Sequence, residues 1–508
     1  MADTKREIER KYEVPGAPDE HFELPDLLKV PGVAAVIEKG VVELDAVYYD
    51  TEDQRLAADK ITLRRRTGGD DAGWHLKLPV ALSEGVRDEV RAPLSAQVPR
   101  ALAGLVRSRV RDAELVPVVR LLSSRDVSHL TGADGELLAE VCVDAVRAER
   151  PGGQGSAAWT EIEVELADDG DPAFLGKVEK RLRKAGVDRS GATSKLARAL
   201  DETGAGEGAQ KADAEAPVTA GDHVLAHLRA QRDVLVELDP AVRRDLPDSV
   251  HQMRVAARRM RSAFKTYKKL LDPAVTAPVA EELKWLGGEL GIDRDREVLT
   301  ERLTARIDAL PRTLLLGPVR GRLRIWAVAQ RHGSRRHTVA LLDGKRYLAL
   351  LETLDALLTD PPLTPRAGKP AAPVFVKAAL KDQARLATRV EHALSLAPGT
   401  DRDLALHEAR KAAKRARYAG EAAVPALGKQ AKKFGKEMKA VQSLLGDHQD
   451  SVVAREALRH LAIQAHAAGE TAFTWGLLYG QEQAAAADRE RELPEVWRSA
   501  AEADLSAG

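Results

Sequence analysis

The chain has 508 residues, with 78 Lys and Arg against 78 Asp and Glu, one cysteine and 4% aromatic residues. That length exceeds one ordinary domain and predicts two or three, and the lone Cys142 excludes an intrachain disulfide and argues for a reducing compartment. No signal-peptide pattern opens the sequence and no apolar run reaches membrane-spanning length, so a soluble, cytoplasmic protein with no membrane partner is expected.

The zero net charge conceals a division. Residues 1–200 carry 30 Lys and Arg against 36 Asp and Glu, residues 201–220 carry 1 against 5, and residues 221–508 carry 47 against 37. An acidic first part and a basic last part predict different partners, and the basic part favours a polyanion.

Taken in chain order, residues 1–200 read as a β-rich domain with helical insertions. Alternating segments recur at 6–14, 42–49, 61–66, 74–78, 86–92, 116–123, 137–149 and 159–166. Gly68-Gly69, Gly132 and Pro151-Gly152-Gly153 mark turns between several of them. Residues 174–185 and 194–200 read as helices.

Side chains two apart share a strand face. Glu7, Glu9 and Lys11 therefore line one face of the first segment, with Ile8, Arg10 and Tyr12 opposite. The same logic groups Arg64 with Arg66, His75 with Lys77, Arg87 with Glu89 and Arg91, and Glu161 with Glu163 and Glu165. An apolar core does not accept such rows, whereas the wet inside of a closed sheet would. Carboxylates on opposed strands can hold Mg²⁺ or Mn²⁺, and Lys and Arg can hold phosphate oxygens. The chemistry that fits is phosphoryl transfer from a polyphosphate-like tail.

These residues resemble the CYTH domains, the triphosphate tunnel metalloenzymes. The resemblance starts at the Glu7-Ile-Glu9-Arg-Lys11 signature and continues through Tyr48-Tyr49-Asp50-Thr51, Leu63-Arg64-Arg65-Arg66, Leu76-Lys77, Arg87-Asp-Glu89, Asp144, Glu161-Ile-Glu163 and Ser194-Lys195. It implies an antiparallel β-barrel tunnel. By resemblance, Glu7, Glu9, Asp144, Glu161 and Glu163 form the metal set, and Lys11, Arg64, Arg66, Lys77 and Arg87 hold the triphosphate. Arg120 and Arg125 both fall near a family arginine, and Arg125 is preferred. One of Glu7 and Glu9 orients water, and Lys195 on a closing helix contacts substrate or aids the leaving group. The family includes adenylyl cyclases and thiamine triphosphatases. With no identifiable base pocket in the sequence, cleavage of inorganic triphosphate is the better expectation.

Residues 201–220 are rich in Gly, Ala and acids and read as a flexible linker. Beyond them the period becomes helical, at 223–238, 248–271, 278–290, 299–310, 317–342, 345–358, 373–394, 404–422, 427–445 and 454–485. A repeat runs through this region. His251-Gln-Met-Arg254-Val-Ala-Ala-Arg258-Arg259-Met-Arg261 is followed by Leu290-Gly291 and Asp295. His407-Glu-Ala-Arg410-Lys411-Ala-Ala-Lys414-Arg415-Ala-Arg417 is followed by Leu445-Gly446 and Asp450. Two pseudo-equivalent bundles are predicted, over about 221–360 and 373–490, with a tail at 491–508. The fold class is thus α+β, a β-barrel tunnel and then an all-α domain of two pseudo-repeated bundles.

Helix geometry places His251, Arg254, Arg258 and Arg261, and likewise His407, Arg410, Lys414 and Arg417, within an arc of about 80°. Lys265 and Lys411 add charge beside these stripes. Like charges on one arc repel unless anions offset them. The pattern resembles the CHAD domain, which implies binding of inorganic polyphosphate through a basic groove and, with it, association with polyphosphate granules. Asp295 and Asp450 are expected to position the basic side chains, and His448 to be structural. Only Phe264, Tyr267 and Tyr418 lie near the stripes, too few to stack bases, which disfavours nucleic acid. A metal-dependent triphosphatase joined to a polyphosphate binder is the first reading. The alternative is a non-catalytic polyphosphate-binding or targeting protein whose tunnel only binds a triphosphate or nucleotide.

Overall fold

The computed structural model describes residues 3–15, 22–80, 85–204, 216–330, 334–503 and 505, and divides between residues 214 and 215 into two units.

Eight antiparallel strands build the first unit: β1 (Asp3–Glu13), β2 (Ala35–Asp50), β3 (Thr62–Thr67), β4 (Gly73–Pro79), β5 (Val86–Ala92), β6 (Val116–Thr131), β7 (Leu137–Glu149) and β8 (Ser156–Leu166). They follow the order β5-β4-β3-β2-β6-β7-β8-β1, and β1 pairs again with β5, so the sheet closes into a barrel. A short β9 (Asp188–Arg189) adds to β1. Every alternating segment read from the sequence falls on one of these strands to within one residue at its ends. Gly68 and Gly69 turn the β3–β4 connection at φ +85° and +69°, where glycine carries no Cβ penalty.

The barrel inverts the usual arrangement, because its apolar side chains point outward under a jacket of helices. Helix α1 (Arg55–Ala58) opens under a cap made by Asp50, whose carboxylate accepts from the Thr51, Leu56 and Ala57 amides. Helix α2 (Arg100–Val110), which the periodicity had not distinguished, buries Leu102, Leu105 and Val106 against Leu63, Trp74, Leu76 and Val90. Helix α3 (Ala173–Arg183) covers Tyr12, Val141, Ile162 and Val164, and α4 (Lys195–Glu202) covers Leu121, Val146 and Trp159. Each Leu-sized side chain so covered contributes roughly 1.5–3 kcal/mol. That jacket leaves the inner face free to be polar.

The second unit is helical: α5 (Ala220–Arg243), α6 (Ser249–Thr266), α7 (Pro273–Glu289), α8 (Gly291–Asp308), α9 (Val319–Gln330), α10 (Ser334–Asp343), α11 (Lys345–Thr359), α12 (Ala371–Ser395), α13 (Thr400–Leu427), α14 (Lys429–Ala467) and α15 (Phe473–Ala501). Thr219 and Asp222 form a reciprocal capping box at the start of α5. The repeat shows as α5–α6–α7 against α12–α13–α14, with the two histidine helices α6 and α13 packed together over a shared apolar core. A smaller core joins α8, α9, α14 and α15 around Leu303, Trp475 and Leu478.

Some boundaries differ from expectation. Residues 317–342 hold two helices, not one. The break expected between 445 and 454 is absent, and α14 runs through it to a turn at Gly469 (φ +70°). The segment expected as a tail continues as α15 to Ala501, and Leu493, Ala500, Ala503 and Leu505 are buried in the core. Most of the expected linker, 205–215, lies outside the described residues. No helix among the described residues is long and apolar enough to cross a membrane.

Candidate functional site

The barrel encloses a cavity of about 310 Å³. Strand parity delivers its lining. Strand β1 supplies Glu7, Glu9 and Lys11, β3 Arg64 and Arg66, β4 Lys77, β5 Arg87, β6 Arg125 and β8 Glu163, while Lys195 enters from the first turn of α4. Asp144 and Glu161, 0% and 4% exposed, stand directly behind Lys195. All the barrel residues singled out in the sequence therefore converge. Arg120 instead pairs with Asp45 on the outside, at 2.6 Å.

The acids fall into two groups. Glu7 and Glu9 hold Lys77 at 2.6 and 3.5 Å. Asp144, Glu161 and Glu163 surround Lys195 Nζ at 2.9, 2.7 and 2.7 Å, and Arg125 reaches Asp144 and Glu163 at 2.7 Å each. One oxygen from each of this trio lies within 4.8 Å of the others, the spacing of a shared ion. Glu7 and Glu9 stand outside the trio, linked to it by Lys11, which pairs with both Glu9 and Glu163. The expected metal set is thus one compact trio plus a neighbouring pair.

Charge and burial set the protonation states. Burial pushes the Glu9 carboxyl up, but Lys11 and Lys77 outweigh it and hold Glu9 down at about 2. Burial wins at Glu7, which is raised despite Lys77. Burial disfavours the charged Lys195, yet Asp144, Glu161 and Glu163 keep it above the ordinary lysine range. Burial and the nearby Arg64 and Arg125 bring Arg66 down to about 9.

Sequence reasoning placed Glu89, Arg91 and Glu165 in one-face rows without a role, gave Tyr48 none, and passed over Lys5. Glu89, 1% exposed, accepts from His75 Nδ1 at 3.0 Å and pairs with Arg91, while Lys5 pairs with Glu165 at 2.7 Å. Tyr48 Oη accepts from Arg64 at 3.2 Å. The signal was present: Glu89 and Arg91 share parity with Arg87, Lys5 with Glu7, and Glu165 with Glu163.

In the helical unit the two stripes meet at a hollow of about 480 Å³ lined by Arg258, Arg261, Lys265, His407, Lys411 and Lys414, with Arg385, Arg389 and Arg415. Arg258, Arg261, Lys265 and Lys414 make no ion pair among the described residues. Arg254 and Arg410 are turned toward Asp295 (2.9 Å) and Asp450 (3.8 Å), the positioning role expected for those carboxylates. Gln449 Oε1 accepts from His407 Nδ1 at 2.7 Å. Two expected members lie elsewhere. Arg417 is held by Glu421 at 2.6 Å, and His251 lines a separate recess with Asp248 and Glu297. His448 is buried between Asp403 and Glu490, 3.3 Å from each, and ties α13, α14 and α15 together. Burial and the cations Arg410, Arg258 and Arg254 bring the Lys414 ammonium down to about 7.

Comparison with known proteins places a CYTH domain at residues 5–200 and a CHAD domain at residues 226–459. The chain is 40% identical over 506 residues to the protein MT2285 of Mycobacterium tuberculosis, covering 96% of this chain and 95% of that one. Among solved structures it is similar to PptA from Streptomyces chartreusis, at 23% identity and a TM-score of 0.46, over 55% of this chain and 99% of that one. It is also similar to the CHAD domain from the plant Ricinus communis, at 28% identity and a TM-score of 0.45, over 58% and 96%. With a closed antiparallel barrel over the first domain and a helical unit over the second, the chain belongs to the family of proteins that join a CYTH domain to a CHAD domain.

Proposed function

We propose that the barrel hydrolyses inorganic triphosphate, or the triphosphate group of a larger compound, with Mg²⁺ or Mn²⁺, and that the helical unit binds inorganic polyphosphate. The observation that carries the barrel reading is the lining itself, in which nine Lys and Arg and eight Asp and Glu face one cavity. Such a lumen is close to neutral, so a bare polyanion would leave the carboxylates unpaired and a bare cation would leave the ammonium groups unpaired. A triphosphate entering with a divalent ion satisfies both.

The residues present fit a hard cation. Asp144, Glu161 and Glu163 offer oxygens at ligand spacing. When bound, the ion would supply Lewis-acid stabilisation of charge on the phosphoryl oxygens. Lys11, Lys77, Arg64, Arg66 and Arg125 would exchange their carboxylate partners for phosphate oxygens, and Arg87, which donates to the Lys60 and Thr193 carbonyls, would turn to the phosphate as well. Glu7, whose carboxyl is raised by burial, is the better of the two β1 acids to accept a proton from the attacking water. The bridging P–O bond then breaks, and Lys195, held protonated by its neighbours, offsets charge on the leaving oxygen.

One observation favours the rival reading of a tunnel that binds without hydrolysis: Lys195 Nζ already occupies the centre of the carboxylate trio. Purified protein with tripolyphosphate and Mg²⁺ or Mn²⁺ separates the two. Phosphate release that Glu7→Ala lowers by about 100-fold or more supports hydrolysis. Binding of tripolyphosphate without release under either metal supports the rival. The paired change Arg258→Glu with Lys414→Glu is expected to abolish polyphosphate capture and leave triphosphate turnover intact.

A further inference from the structure

The basic surface of the helical unit continues past the hollow between the histidine helices. A second cavity, of about 500 Å³, shares Lys265, Arg385 and Arg415 with it. Its walls are the turn after α6 with Lys268 and Lys269, the turn before α12 with Arg366 and Lys369, and the face of α12 that carries Lys377 and Lys381. None of these six cations makes an ion pair among the described residues. Asp382 is the one carboxylate in the lining, and it is engaged. It accepts from Thr266 Oγ1 at 2.7 Å and from Arg415 Nε at 3.0 Å, and it pairs with Arg385.

Several arginines elsewhere in the unit, by contrast, have acid partners. Arg243 pairs with Asp239, Arg302 and Arg306 with Glu482, and Arg402 with Glu490. A chain with equal numbers of acidic and basic residues has thus left these cavity cations uncompensated. Cations closer together than the screening length of about 8 Å repel one another, a cost that a bound anion removes. Lys377, Lys381, Arg385 and Arg389 follow one another every fourth residue along α12, a band about 18 Å long that connects the cavity to the hollow.

We infer that this cavity is a second phosphate-chain subsite, into which a linear polyphosphate held between α6 and α13 continues along α12 past Arg385 and Arg415. The inference rests on the polyphosphate reading of the helical unit and adds chain-length selection to it. A chain long enough to occupy both places engages both sets of cations, and a short one engages a single set. Inorganic polyphosphate suits the cavity better than nucleic acid does. Tyr267, the aromatic residue in the lining, is 2% exposed and offers no face for a base.

The test uses the full chain in EDTA, so that no metal-dependent turnover intervenes, and measures binding of long-chain polyphosphate across a salt series. Lys377→Glu with Lys381→Glu is expected to weaken binding by about tenfold or more and to lower the slope of log K against log salt by about 1–2. The neutral pair Lys377→Gln with Lys381→Gln is expected to give a smaller loss in the same direction with an unchanged melting temperature. Tripolyphosphate hydrolysis, read separately with metal present, is expected to match wild type in all variants. If wild type binds long chains and both pairs bind as wild type does, with the same slope, the second subsite is overturned alone. If wild type binds no polyphosphate, the reading beneath it falls as well. A single-stranded oligonucleotide that binds wild type as tightly, with the same loss on charge reversal, would overturn the assignment in favour of a general nucleic-acid surface.

Discussion

Lys195 and a metal ion would compete for the same oxygens, since the ammonium lies within 2.7–2.9 Å of three carboxylates that could hold the ion. Removing that ammonium should therefore free the trio. Lys195→Ala is expected to bind Mn²⁺ more tightly than wild type in the absence of phosphate, by calorimetry, and to turn over triphosphate more slowly. Unchanged Mn²⁺ affinity would mean that the trio is not the metal site. Lys414 makes a second prediction. Its ammonium, lowered to about 7 by burial and by Arg410, Arg258 and Arg254, regains its proton when a polyanion offsets those cations. Polyphosphate affinity should then fall as pH rises above 7, by up to about tenfold per unit for one linked proton, and level off below 7. Lys414→Arg should flatten the profile between pH 7 and 9, and an unaltered profile would remove Lys414 from the groove's chemistry.

The two Leu-Gly…Asp segments use their glycines differently. Arg254 crosses α8 at Gly291 to reach Asp295, and Arg410 crosses α14 at Gly446 to reach Asp450. A Cβ at Gly291 would come within 2.5 Å of the Arg254 guanidinium, whereas one at Gly446 would stay 3.5 Å from Arg410. Gly291→Ala should thus weaken polyphosphate binding several-fold without lowering the melting temperature. Gly446→Ala should leave binding intact and stabilise the helix by about 0.5–1 kcal/mol. Equal effects at the two sites would contradict this account of the pairing. Other elements were less legible. Residues 446–451 look like a polar loop, yet α14 passes straight through them. Their partners come from distant helices: Asp403 and Glu490 for His448, His407 for Gln449, Arg410 for Asp450 and Arg302 for Ser451. Local composition cannot register partners so far away in sequence. Strand parity, by contrast, is a local property, and it alone groups the lumen residues on β1, β3, β4, β5 and β8. It did not say that Asp144, Glu161 and Glu163 would gather apart from Glu7 and Glu9. That division depends on the register of β7 with β8, where Asp144 faces Glu161.

At the scale of the whole molecule, the zero net charge is the sum of two units with separate cores and opposite balance. The acidic unit gathers nine Lys and Arg inside a barrel, and the basic unit displays cations on helix faces. If the second unit gathers polyphosphate for the first, a tether raises the local concentration of chain ends. Cleavage at a protease site inserted within 205–215 should then slow turnover of long chains while leaving tripolyphosphate turnover unchanged. An identical response to both substrates would separate the two activities. The most direct test of the central reading is a crystal structure of the protein with Mn²⁺ and a non-hydrolysable imidotriphosphate. The account predicts anomalous density for Mn²⁺ on oxygens of Asp144, Glu161 or Glu163, with the phosphate chain against Lys11, Lys77 and Arg125. Mn²⁺ and phosphate bound only outside the barrel, with Lys195 still seated among the three carboxylates, would contradict it.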